Sequence, residues 1–179
     1  MRDFIKKFFP SFQKMEKKPQ KIKVCWDFLA HILGEILLLS PSEEKELAQL
    51  DDHDPKVLRE IVREFIVPHY RYFPPENQKK IRDSLSYYLA IDSEKLAWIF
   101  PSYQVPIDDS VAKRFYTIVW QELYGTDRPD LINPKDYEED CSNQYVMSLR
   151  WSYDLKEKYN PTVEKPSVTN IVARLKQNS

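Results

Sequence analysis

The chain has 179 residues, of which 42% are hydrophobic and 31% are charged, and its formal net charge is −1. This length and apolar content suffice for the core of one folded domain and exclude a disordered chain. Only two glycines occur, Gly34 and Gly125, which excludes the glycine-rich phosphate-binding loops of P-loop and Rossmann proteins.

The charges are unevenly distributed along the chain. Residues 1–23 carry eight basic residues against two acidic ones, whereas the remainder carries 19 against 26. We therefore predict a basic, aromatic N-terminal arm or helix over residues 1–22 and an acidic helical domain over residues 23–179. An acidic domain argues against direct binding of nucleic acid by the body, since that affinity depends on cations, and it suits a basic protein partner better.

The arm combines lysines with phenylalanines. These residues are Phe4, Lys6, Lys7, Phe8, Phe9, Phe12, Lys14, Lys17, Lys18 and Lys21. Two interpretations are open: a short helix whose phenylalanines dock on the body, or an arm that contacts an anionic membrane or RNA. Pro10 and Pro19 would interrupt any long amphipathic helix.

The first half of the domain predicts three helices. Helical apolar spacing predicts one over Ile22–Leu39, and the capping box of Ser40-Pro41-Ser42-Glu43 begins a second that runs to about Leu50. Asp54-Pro55 begins a third, which should end before Pro68. The segment from His69 to Pro75 has no periodicity and predicts a loop.

The second half predicts further helices separated by turns. The predicted helices are Pro75 to Ala90, Ser93 to Phe100, Asp108 or Asp109 to Gly125, Asn133-Pro134 to about Lys158, and a last one after Pro166-Ser167 that carries Val168, Ile171, Val172 and Leu175. Val105–Ile107 predicts a strand fragment without an obvious partner. Together these elements predict an all-α fold of seven or eight helices in antiparallel hairpins, for which armadillo- or HEAT-like stacking is one arrangement.

The two cysteines, Cys25 and Cys141, do not form a CxxC or Cys/His pattern, so we expect free buried thiols and neither a zinc site nor another cofactor. The longest apolar run, Ile36–Leu39, is too short to span a bilayer, and the N-terminus lacks the features of a signal peptide. We therefore expect a cytoplasmic protein that does not bind a membrane.

Three patterns could carry chemistry. His31 and Glu35 would share a helix face as metal ligands can, but an isolated match favours a hydrogen-bonded histidine. His53 lies in Asp51-Asp52-His53-Asp54, which offers a carboxylate-oriented base but is typical of a turn that ends in a helix cap. Glu60 and Glu64 alternate with Arg59 and Arg63, the pattern of a solvated helix face.

Two acidic regions and an excess of tyrosine stand out. The first acidic region consists of Glu43, Glu44, Glu46, Asp51, Asp52 and Asp54. A second acidic stretch consists of Asp127, Asp130, Asp136, Glu138, Glu139 and Asp140, and its last four residues, the second acidic region, are predicted to contact a partner. Each region is either a solvated surface or a surface complementary to a basic cleft. Tyr70, Tyr72, Tyr103 and Tyr124 lie near predicted helix ends, where they either pack in the core or anchor a partner.

An acidic, cysteine-poor, helical chain of this size without a recognisable active site resembles bacterial immunity proteins. More narrowly, it resembles the helical immunity proteins of contact-dependent growth inhibition systems that neutralise EndoU-type RNase toxins. The resemblance implies a tight one-to-one complex in which the immunity protein covers the toxin's basic RNA-binding cleft.

The sequence thus leaves three hypotheses for the function. The first is a non-catalytic immunity protein, a toxin inhibitor that binds a basic nuclease domain through the two acidic regions. The alternative is a helical adaptor that associates with membrane or RNA through the basic arm. The third is an enzyme whose site includes His31 or His69.

Overall fold

A computed structural model of the protein describes residues 20–125, 132–142 and 166–177. This part of the chain is mostly helical and contains one small parallel sheet, so the expected helical class is confirmed. In chain order the elements are β1 (Ile22–Val24), α1 (Asp27–Ala30), α2 (Pro41–Leu47), α3 (Pro55–Ile61), α4 (Val67–Arg71), α5 (Pro75–Ala90), α6 (Lys95–Ser102), α7 (Ala112–Tyr124), β2 (Tyr137–Glu139) and α8 (Val168–Gln177).

The local helix signals are confirmed where the sequence carries them. Ser40 caps α2 through a complete capping box with Glu43, and the Asp54 carboxylate caps α3 by accepting the Lys56 N–H at 2.8 Å. Gly125 ends α7 in the left-handed conformation at φ 69°, where a side chain would be strained. Residues within a few positions of each other therefore set these three helix ends.

The predicted first helix is partly wrong. Ile22–Val24 forms β1, and Asp27–Ala30 is followed by two separate 3₁₀ turns, His31–Leu33 and Ile36–Leu38. β1 pairs in parallel with β2, with Ile22 opposite Tyr137. The alternation of β-branched residues around Lys23 suits a short strand once a partner strand is present.

The prediction that the third helix ends before Pro68 is also wrong. The chain forms one turn of π-helix over Val62–Ile66 and then continues as α4 through Pro68. A turn of π-helix changes the spacing of the hydrogen-bond ladder, and this lets a helix accommodate a residue that lacks an N–H. Consequently the first three residues of the predicted loop, His69 to Arg71, are helical, and Tyr70 and Phe73 are buried.

The prediction of a helix after Asn133-Pro134 is wrong for the residues that the structure describes. Asn133 does cap a turn, but that turn is a 3₁₀ turn over Pro134–Asp136, and β2 follows at once. The pairing of β2 with β1 overrides the local helix signal. The remainder of this predicted helix, residues 143–158, lies outside the described residues.

The core is centred on α7, which packs against α3, α5 and α6. Its fully buried aromatic side chains include Phe115, Tyr116 and Trp120. Phe100 of α6 packs edge-on against Phe115 with ring centroids 5.3 Å apart. Val105 and Ile107 are buried in this core, but they do not form the predicted strand fragment.

The expectation of free thiols is wrong, because Cys25 and Cys141 form a disulfide across 116 residues of sequence. Cys25 follows β1 and Cys141 follows β2, so the same strand pairing brings the two sulfurs together. Among the described helices, none combines the length and the apolar character needed to cross a bilayer.

Candidate functional site: two acidic surface regions

The first acidic region extends from α2 to the start of α3. Glu44 and Glu46 are exposed on α2 and make no ion pair with any described residue. Glu43 instead serves the capping box and accepts the Ser40 N–H at 2.9 Å. Asp51 accepts the His53 N–H at 3.1 Å within the following turn, so this region mixes free carboxylates with structural ones.

A second loop enlarges this region. The Asp52 carboxylate accepts the backbone N–H of Asp108 at 2.7 Å, a contact across 56 residues of sequence. The contact places Asp108 beside the first region, with the exposed Asp109 next to it in the chain. Arg114 of α7 fastens the same turn by donating to the His53 carbonyl at 2.8 Å.

These additions are acids that the sequence indicated only as helix caps. Asp108 does cap the turn before α7 by accepting the Ser110 N–H at 2.7 Å. Hydrogen bonds from Ser110, with a smaller effect of His53, lower the pKa of the Asp108 carboxyl. Asp108 therefore keeps its negative charge at neutral pH and adds to the field of the first region.

His53 lies between two carboxylates but is exposed. Its Nε2 is 4.0 Å from an Asp52 oxygen and 3.7 Å from an Asp108 oxygen, and 61% of its side chain is accessible. Because Asp51 and Asp54 both accept backbone N–H groups in this turn, the interpretation of the segment as a turn with a helix cap is confirmed. An exposed ring between acids also offers nothing to exclude water from a reaction.

The second acidic region is held against the body by its own carboxylates. Asp140 forms an ion pair with Lys23 at 2.6 Å, and Glu139 pairs with Lys95. The hydrogen bond from Lys23 is the main reason why the pKa of Asp140 lies well below its ordinary value. Only Asp136 and Glu138 remain exposed without an ion pair to a described residue.

The two regions lie on separate elements, the first around α2 and the second on β2. The family models, the curated proteins and the solved structures compared with this chain include no match to it. The function is therefore inferred from the side chains of this chain.

A groove of about 400 Å³ borders the first region and contains Lys56, Arg59 and Arg63 among its lining residues. Its cations are largely neutralised, because Arg63 binds Glu122 at 2.9 Å and Glu60 at 3.3 Å, and Arg59 also binds Glu122. Although partial burial acts to raise it, these guanidinium groups lower the pKa of Glu122. The groove therefore offers little free positive charge to an anion.

The pattern of Glu60 and Glu64 is not a solvated helix face, contrary to the prediction. Glu60 is 7% exposed, and Arg174 of α8 binds Glu60 at 2.6 Å and Glu64 at 2.7 Å. The apolar face of α8 buries Val168 and Ile171, and this packing brings Arg174 over α3. These charges fasten the C-terminal helix to α3.

The structure places the histidines differently from the proposed His31–Glu35 pair. Glu35 lies 3.3 Å from Nδ1 of His69, whose Nε2 lies 3.1 Å from the His31 carbonyl oxygen. His31 Nε2 instead lies 3.7 Å from Asp27. Burial lowers the pKa of His69 to about 4, although the bond to the His31 carbonyl acts to raise it.

This pairing argues for a structural role. The His69 side chain is 1% exposed and Glu35 is 8% exposed, so a substrate has no direct access to the ring. Among the described residues, no three His, Cys, Asp or Glu side chains are arranged to hold a metal ion. His69 therefore acts in the interior as a neutral hydrogen-bonding group.

Three of the tyrosines considered as anchors have partners inside the protein. Tyr124 donates to the Tyr70 hydroxyl at 3.0 Å, and Tyr103 donates to Asp27. Tyr70 is buried, whereas Tyr72, Tyr103 and Tyr124 are half-buried. Residues 1–19, which include most of the basic arm, lie outside the described residues, as do Asp127 and Asp130.

Proposed function

We propose that this protein is a non-catalytic immunity protein that neutralises a basic nuclease toxin by binding it with an acidic surface. The observation that supports this most is the contact between Asp52 and Asp108, which gathers acids from two loops at one edge of the fold. Exposed, unpaired Glu44 and Glu46 continue the same region along α2. A surface of this charge suits the phosphate-binding cleft of an RNase.

The first region is the better candidate for the main contact. Its exposed Glu44 and Glu46 form no ion pair within the described chain and can therefore contact a partner. In the second region, Glu139 and Asp140 already form ion pairs with Lys95 and Lys23. Asp136 and Glu138 would add a smaller contribution at a separate site. Unneutralised charges steer association over distances of about one Debye length, roughly 8 Å at physiological salt.

A binding role also agrees with how the chain uses its titratable groups. The buried His69 and Glu35 face each other away from solvent, and His53 is too exposed to act in a closed site. A cytoplasmic location, which is part of this proposal, would place the protein where a ribonuclease toxin meets its RNA.

The test is protection against an EndoU-type toxin domain and formation of a complex with it. Both glutamates of the first region are reversed together in Glu44→Lys/Glu46→Lys. We expect the wild type to form a one-to-one complex and to protect growth, and the variant to bind at least about tenfold more weakly at low salt.

The matched control is Glu76→Lys/Glu94→Lys, which changes the net charge equally at exposed positions outside both regions. It should bind within about twofold of the wild type if the local surface matters rather than total charge. Equal weakening in both variants would assign the effect to net charge. Full protection by the Glu44→Lys/Glu46→Lys variant would contradict the placement of the surface.

A further inference from the structure

A covalent bond ties the second acidic region to the body of the protein. Cys25 directly follows β1, Cys141 lies two residues beyond the end of β2, and their sulfurs form a disulfide. The bond therefore closes the parallel pair β1–β2 immediately next to its three-residue ladder. Parallel pairing so short is not stable by itself.

The other contacts of this segment are few and close to solvent. Asp140 donates its N–H to the Val24 carbonyl at 2.9 Å, and its carboxylate pairs with Lys23, whose side chain is 55% exposed. Tyr137 stacks on Tyr87 with ring centroids 5.5 Å apart. Exposed ion pairs contribute little to stability, so the disulfide is the strongest link between residues 132–142 and the body.

The two sulfurs differ in access. Cys25 is 0% exposed, whereas Cys141 is half-buried at the edge of the core. Thiol–disulfide exchange requires an incoming thiolate to reach one sulfur in line with the bond. Cys141 is therefore the sulfur that an external thiol attacks, and Cys25 is the leaving group.

We propose that the Cys25–Cys141 bond is a redox-controlled clamp, which a thiol of the glutathione class opens to release residues 132–142 from β1. The thiolate bonds to Cys141 Sγ, the Cys25–Cys141 bond breaks, and Cys25 leaves as a thiolate that takes up a proton. A second thiol molecule then reduces the mixed disulfide, which gives two protein thiols and the disulfide of the reagent.

This chemistry agrees with the proposed location. Disulfides of cytosolic proteins are usually transient or redox-sensing rather than permanent. The effect on binding rests on the proposed function: release of the segment disperses Asp136 and Glu138 and weakens the contact with a basic partner. The first acidic region, which the disulfide does not touch, would keep its affinity.

The clamp is tested on the full chain without any partner. The protein is equilibrated in glutathione buffers of rising reduced fraction, free thiols are counted by maleimide labelling and mass spectrometry, and amide exchange is followed peptide by peptide. With excess reduced glutathione, both cysteines should label, and amides of residues 132–142 should exchange at least about tenfold faster. Those of Ala112–Tyr124 should remain much better protected than residues 132–142 in the reduced protein, because the core stays folded.

Two results would overturn the proposal. If neither cysteine labels at any glutathione ratio, the bond is a permanent structural link. If both label while exchange in residues 132–142 stays the same, other contacts hold the segment. The variant Cys141→Ser repeats the comparison without reagent, and Lys95→Ala, which removes only one ion pair of the segment, should leave its exchange close to that of the oxidised wild type.

A binding experiment distinguishes failure of this inference from failure of the proposed function. The toxin domain is titrated against oxidised and reduced protein, together with the Glu44→Lys/Glu46→Lys variant. Loss of affinity in that variant with equal affinity of both redox forms would contradict redox control of binding only. Equal affinity of all three proteins would contradict the proposed function, while the exchange experiment still decides the clamp.

Discussion

The two acidic regions look alike as runs of carboxylates, yet the fold holds them by different means. The first is stabilised by short-range hydrogen bonds, such as those that Asp51 and Asp54 accept in one turn. The second depends on a strand pair, the ion pair of Asp140 with Lys23 and a disulfide, which join it to residues more than 100 positions away. The first should therefore persist wherever α2 and α3 fold, and the second should not.

The two regions also differ in how many of their carboxylates form ion pairs. Glu44 and Glu46 are exposed and unpaired within the described chain, whereas Glu139 and Asp140 neutralise lysines. The number of acids in a stretch is therefore a poor measure of the potential that a partner meets.

Removal of the disulfide should destabilise the second region and the fold. We expect Cys25→Ala/Cys141→Ala to lower the free energy of unfolding by about 2–5 kcal/mol, because the bond restricts a loop of more than 100 residues in the unfolded chain. Urea denaturation under oxidising conditions measures this loss. The reduced wild type should behave like the variant, and a loss below about 0.5 kcal/mol would show that the bond restrains neither state.

As the pH falls, protonation of His69 should lower the free energy of unfolding before the carboxylates of either acidic region are protonated. Burial lowers the pKa of His69 to about 4 in the folded protein, against an ordinary value of 6.5, so the unfolded chain binds more protons between these values. The His69 contribution is complete above about pH 6.5 and declines as the pH falls, with a total loss of about 3 kcal/mol near pH 4. The pKa values of Asp108 and Asp140 are lowered, so their effects begin below about pH 4.

The measurement is the free energy of urea unfolding from pH 7 to pH 4. The variant His69→Gln keeps a polar group opposite Glu35 and the His31 carbonyl, and its curve should be flatter than that of the wild type. Parallel curves would mean that His69 does not govern this window.

Structural and free carboxylates of the first region should differ in their effect on stability. Asp54→Ala removes the cap of α3 and should cost about 1 kcal/mol. Glu44→Ala and Glu46→Ala, at exposed positions, should each change stability by less than about 0.5 kcal/mol. Thermal and urea unfolding check both expectations. Equal losses of stability in all three variants would contradict the distinction between structural and free carboxylates.

A small effect is also expected for the ion pair of β2 with α6. Lys95→Ala removes the partner of Glu139 and should lower stability by less than about 1 kcal/mol, since such a pair is partly solvated. The loss should shrink further at high salt. A loss comparable to that of the cysteine variant would show that this pair, rather than the disulfide, holds the second region.

Sequence reasoning succeeded where the determining contacts are local. The cap residues Ser40 and Asp54 and the terminal Gly125 act within three or four positions, and each marks a helix boundary in the structure. The strand pair could not be read locally, because Ile22 finds its partner only at Tyr137. The disulfide was missed for the same reason, since no spacing pattern links cysteines 116 residues apart.

The candidate site was predictable only in part. The carboxylates of both regions stand out by type, but Asp108 joins the first region through a contact that skips 56 residues. Likewise, the burial of Glu60 depends on where Arg174 of α8 lies, which the pattern on α3 alone does not reveal. Composition indicated acidic surfaces, and tertiary contacts decided which acids are free.

The most direct test of the account is the salt dependence of the association rate with the toxin domain, measured for wild type, Glu44→Lys/Glu46→Lys and Glu76→Lys/Glu94→Lys. If the first region steers the partner, the wild type and the control should slow steeply as salt rises, and the first variant should be slow and nearly independent of salt. Equal rates and equal salt slopes for all three proteins would contradict the account.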